Sequence, residues 1–222
     1  MVKESLFTVF YYENESENLI EELCQYFDNH CPSILEYFEI IQMPFKVKIN
    51  IIPTKNEYDV LFKEEFGFEA NKSSRGFCTK DASINYLSIN DYKNTTHKFE
   101  KDEYFKVLEG FKKTLIHEFV HIVNKVFNKI HNCGFSAPYL FEGIAIYLSK
   151  QKENEDYDFD FTIEELLTKD SSKRKYYACY LIVKYLIENY SKEKVFELLK
   201  DKEYAQQFLK EELYDKAKKF YN

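Results

Sequence analysis

Tryptophan is absent from this chain, and glycine and proline are scarce, with 5 and 4 among 222 residues. So few chain breakers argue against long flexible linkers. No apolar run approaches the ~20 residues that cross a bilayer, so no membrane span is expected. An excess of positive charge is also missing, because the formal net charge is -7. An acidic surface repels polyanions, so neither nucleic acid nor anionic lipid is an expected partner. The most compact basic run, Lys173-Arg174-Lys175, is too short for a recognition patch. No CxxC occurs among the 5 cysteines, and their number is odd. A disulfide framework is therefore not indicated, and reduced thiols in the cytoplasm are the simpler reading. The segment Leu6 to Tyr12 is aromatic and has no small-residue cleavage site, so it reads as a strand rather than a signal peptide.

Tyrosine and phenylalanine are abundant, at 19 and 21. Lysine, asparagine and isoleucine are common as well, so the aromatics reflect a general compositional bias and carry no binding argument. The length suits one core or two lobes sharing a cleft. Period-two or apolar segments at Leu6–Tyr12, Phe45–Ile52, Gly76–Thr79 and Ile84–Ile89 predict strands. Helical spacing predicts helices over 13–38, with Pro32 as a restart, and over Lys55–Phe66. Beyond Lys101 almost everything reads as helix: 102–130, 138–150, 162–167, 173–190 and 192 to the C-terminus. The expected fold class is therefore α+β. A small mixed sheet occupies an N-terminal α/β lobe (1–100), and a helical lobe (101–222) carries the chemistry, the two forming one catalytic domain.

That chemistry centres on His117-Glu118-Phe119-Val120-His121, an HExxH motif. Residues i and i+4 share a helix face, so two imidazoles project together and can bind one metal ion. Imidazole nitrogen suits Zn²⁺, and three protein ligands leave an open position for catalysis. Glu118 sits beside the first ligand, placed to accept a proton from water rather than to ligate. Chance supplies this motif on the order of once per hundred chains of such composition, and its place within a strongly periodic helix improves the odds. The competing reading is two ordinary histidines sharing a face. For the third ligand, Glu142 is an isolated acid in the otherwise apolar Tyr139–Tyr147. Burying a lone carboxylate is unfavourable unless it is paired or coordinates a metal. The alternative is a solvent-facing acid near a helix start. Gly143 beside it is expected to let this helix approach the HExxH helix closely.

HExxH followed some twenty residues later by Glu142-Gly143-Ile144-Ala145 resembles the gluzincin branch of zinc peptidases, in particular the thermolysin-related, peptidase MA-like domains. The resemblance is close over Lys112 to Leu148 and looser to about Leu199. Many relatives have tryptophan three residues before the ligand glutamate, where this chain has Tyr139. The resemblance implies a zincin-like fold, with the HExxH helix between the lobes and zinc held by His117, His121 and Glu142. It also implies a tyrosine or histidine that steadies the oxyanion. Aligned on Tyr185-Leu186, Tyr176 matches the family tyrosine. Tyr180, one turn on, is its rival; the competing reading makes both core aromatics, and His97 and His131 are weaker candidates. The strand Ile84–Ile89 resembles the edge strand that zincins offer to an extended peptide or protein substrate. The expected function is therefore zinc-dependent peptide hydrolysis with Glu118 as general base. The alternative is a catalytically inactive zincin-like binding or regulatory module.

Overall fold

The alternating segments of the first ninety residues build one mixed sheet. The computed structural model describes residues 1–72, 74–91, 104–153, 159–168 and 173–222. Strands β1 (Val2–Glu4) and β2 (Thr8–Tyr11) form an antiparallel hairpin where a single strand is expected. Ser5 makes the turn. Its Oγ accepts from the backbone N–H of Phe7 at 3.3 Å and of Thr8 at 3.2 Å. Such local bonding competes with a ladder and ends the strand. Strands β3 (Val47–Ile52), β4 (Gly76–Cys78) and β5 (Ile84–Leu87) complete a five-stranded sheet of order β1-β2-β3-β5-β4. The inner pairs β2/β3 and β3/β5 are parallel, and the outer pairs are antiparallel.

This order corrects one expectation. The segment Ile84–Ile89 is not an edge, because β5 pairs with β3 on one side and β4 on the other. Every residue of β5 is buried, as in a strand covered on both faces. Even its Asn85 is satisfied inside, accepting at Oδ1 from Asn50 Nδ2 at 2.8 Å. Among the described residues the edges are β1 and β4.

Helix α1 (Glu17–Tyr37) starts at Ser16, whose Oγ accepts from Leu19 N at 3.2 Å. It runs on through Pro32, where a restart is expected, because Cys31, Ile34 and Leu35 continue its buried stripe. Helix α2 (Lys55–Phe66) lies between the Thr54 cap and Gly67, whose φ of 80° ends it. Helix α3 (Tyr104–Ile130) is the long one; Asp102, at the expected start, lies outside the described residues. Aromatic contacts tie sheet to helices. Phe10 meets Phe27 at 5.8 Å between centroids, Phe27 meets Phe119 at 5.7 Å, and Tyr86 meets Phe111 at 4.6 Å.

The chain divides into two compact units, residues 1–123 and 124–222, and α3 runs through the division. The whole sheet belongs to the first unit. The second, among its described residues, is helical: α4 (Pro138–Leu148), α5 (Ile163–Leu167), α6 (Lys173–Asn189), α7 (Lys192–Lys200), α8 (Lys202–Phe208), a π-helical turn (Leu209–Leu213) and α9 (Tyr214–Tyr221). The fold is thus α+β with a mixed sheet. The single helix expected after Lys192 is broken at Asp201, whose extended backbone and side chain, accepting from Tyr204 N at 2.9 Å, start α8. No helix among the described residues is long and apolar enough to cross a membrane.

Candidate metal centre

Helix α3 is periodic in sequence, yet residues 115 to 124 are all buried. Leu115, Ile116, Phe119, Val120, Ile122 and Val123 are at most 1 % exposed. Between them sit His117 and His121 at 6 % and Glu118 at 9 %. Polar groups enclosed this way are unfavourable unless they bind something. The i, i+4 spacing does what it predicts. The two imidazole rings lie 4.5 Å apart between centroids, nearly perpendicular, with their Nε2 atoms 3.0 Å apart. Two nitrogens on one tetrahedral zinc, with bonds of about 2.05 Å, would lie about 3.3 Å apart. The observed pair is close to that span.

Glu142 stands in the first half of α4, whose Pro138 occupies the first helical position. Tyr139 is fully buried and donates its hydroxyl to the Ala205 carbonyl at 3.1 Å. It anchors the start of the helix. One donor atom each from His117, His121 and Glu142 lie within 4.8 Å of one another. Two imidazole nitrogens and one carboxylate oxygen form a donor set that suits zinc with a position to spare. The residues present therefore fit the ion that the motif implies.

The link between α3 and α4 closes the first helix at Asn132, which makes the left-handed turn with φ of 51°. Its N–H reaches Lys129 O at 3.3 Å, and Cys133 N reaches Asn128 O at 3.0 Å. This is the paired closure of a Schellman motif, with asparagine taking the usual glycine position. Gly143 serves a different neighbour than expected. A Cβ there would stand 2.4 Å from both the Cys179 carbonyl and Val183 Cγ2, so the close approach is to α6 and not to the HExxH helix.

That contact also sets the register of α6. Cys179 and Val183 face Gly143, and Tyr176 lies three residues before Cys179 on the same face. Tyr176 is half-buried. Tyr180 is rotated from that face and packed between Tyr147 and Tyr177, at 6.5 and 5.9 Å between centroids. Burial, then Glu153 and Glu188, push its phenol pKa up. His131 is exposed and packs on Phe127 at 4.3 Å. His30 approaches the Tyr26 carbonyl through Nδ1 at 2.8 Å, a local contact within α1. His97 lies outside the described residues.

Two residues beside Glu118 carry no motif signal. Gly76 of β4 lies against it: a Cβ at Gly76 would be 3.3 Å from Glu118 Cγ and 2.5 Å from the Tyr86 ring. Cys78, two residues on, brings its Sγ to 2.9 Å from the Glu118 carbonyl and 3.2 Å from Oε2. Forty residues of chain separate the partners, so no spacing rule points to them. No family model matches the chain, and no curated protein matches it.

Proposed function

We propose that this protein is a zinc-dependent metallopeptidase of zincin-like fold and gluzincin type, acting on a peptide or protein substrate in a reducing, cytoplasmic setting. The observation that carries the reading is the grouping of His117, His121 and Glu142 donor atoms within 4.8 Å. These three residues would hold the ion. Bound zinc supplies a Lewis acid and lowers the pKa of its water toward neutrality. Glu118, next to His117 on the helix, would accept a proton from the attacking water on its carboxylate and pass it to the leaving amine. At 9 % exposure its side chain is largely withdrawn from bulk solvent. A hydroxyl of α6 steadies the developing oxyanion. Of Tyr176 and Tyr180, the face shared with Cys179 favours Tyr176. An extended peptide would pair with the edge strand β4, beside Glu118, rather than with segment 84–89.

The test compares wild type, Glu142→Ala and Glu118→Gln by elemental analysis and by cleavage of a peptide library. Wild type is expected to carry one zinc per chain, and Glu142→Ala to lose most of it. Glu118→Gln should keep the zinc while turnover falls by about 10²–10⁴-fold. A wild type that binds no zinc sinks the proposal. Stoichiometric zinc without cleavage of any peptide would favour the inactive binding module instead.

A further inference from the structure

A general base on a long side chain is useful only when its carboxylate is held in one orientation. Helix α3 fixes the Glu118 backbone, but χ angles beyond Cβ still need a neighbour. Strand β4 supplies one. Gly76 lets the strand lie against the Glu118 stem, and the Cys78 thiol then stands within reach of two oxygens of the same residue. β4 is itself held in register on β5, with Cys78 opposite Ile84 and Gly76 opposite Tyr86. The thiol has a single proton, so it can satisfy the Oε2 carboxylate oxygen at 3.2 Å or the backbone carbonyl at 2.9 Å. The carboxylate carries charge, whereas the carbonyl already serves the helix ladder, so the charged acceptor is favoured.

We propose that Cys78 is a positioning residue for Glu118: its S–H donates to Oε2 and orients the carboxylate so that Oε1 is left to receive the proton. The inference rests on Glu118 acting as the general base. Neither alanine nor a larger aliphatic residue at 78 would reproduce the donor, whereas serine would.

Two measurements test this. The first is the Raman S–H stretching band of Cys78 in protein stripped of metal, isolated as the difference between each protein and its Cys78→Ser counterpart. That band lies apart from other protein vibrations and rises in frequency as its acceptor weakens. It is expected to move up in Glu118→Gln, because a carboxamide oxygen is the poorer acceptor. An unmoved band places the proton on the backbone carbonyl and overturns the inference. The second is steady-state kinetics of the zinc-loaded enzyme. Cys78→Ala should lower kcat about tenfold, the size of a lost hydrogen bond to a charged group, at unchanged KM and zinc content. Cys78→Ser should restore kcat to within about threefold of the parent. A kcat for Cys78→Ala within about twofold of the parent, or serine no better than alanine, also overturns it. Turnover that survives Glu118→Gln would end the general-base reading instead, whereas an unmoved S–H band ends this inference and leaves that reading intact.

Discussion

Glu15 shows how much a single buried carboxylate can organise. It is 6 % exposed, and it accepts from the Ser88 hydroxyl and from the Ile89 backbone N–H, the latter at 2.9 Å. It thereby holds the chain just after β2 to the chain just after β5. Glu15→Ala would leave both donors buried without this acceptor, a loss of about 1–3 kcal/mol. Urea unfolding of the variant should show that drop; a midpoint equal to the parent's would mean that the two donors find other partners. The residues of the candidate metal centre differ sharply in how readable they were. His117 and His121 were legible because helix geometry alone converts a spacing of four into proximity. Glu142 was legible because an acid among apolar neighbours demands a partner. Cys78 was not, since its contact depends on how β4 meets α3, and pairing across forty residues leaves no local pattern.

Elements followed their local signals and departed where tertiary context decided. Helix α2 was legible to its ends, because Thr54 and Gly67 are unambiguous caps. β5 was legible as a strand, but its central place was not: an apolar four-residue run fits an interior strand and an edge alike until its neighbours are known. The expected C-terminal helix hid a break because Asp201 reads equally as a surface acid and as a cap. Gly143 is the instructive case. The sequence makes a close helix approach legible but not its direction, which the structure assigns to α6 through Cys179 and Val183. Gly143→Ala should therefore loosen α4 against α6 and lower stability by about 1–3 kcal/mol, the usual penalty of overpacking. Thermal unfolding of the variant measures this, and an unchanged or raised Tm would contradict the geometry.

For the molecule as a whole, burial of phenols and thiols sets the behaviour in alkali. Desolvation pushes up the pKa of Tyr58, Tyr139, Cys31 and Cys179, and that of Tyr26 to about 12, with Glu109 adding to the last. In each case the folded chain holds its proton more tightly than the unfolded chain. Their contribution is therefore complete below the unfolded values, about 9 for thiols and 10 for phenols. Above those values the unfolded state sheds protons that the native state keeps, so stability falls as pH rises. Unfolding free energies should decline steadily between about pH 9 and 12; a flat profile there would mean that these groups titrate in the native state as freely as in the open chain. The same enclosure has a consequence for residues 115 to 124. A helix with one wet side can be rewritten along that side while its fold is left alone. This stretch has none, so each exchange in it disturbs packing and chemistry together. Lost activity in such a variant has a meaning only when its folding has been weighed alongside.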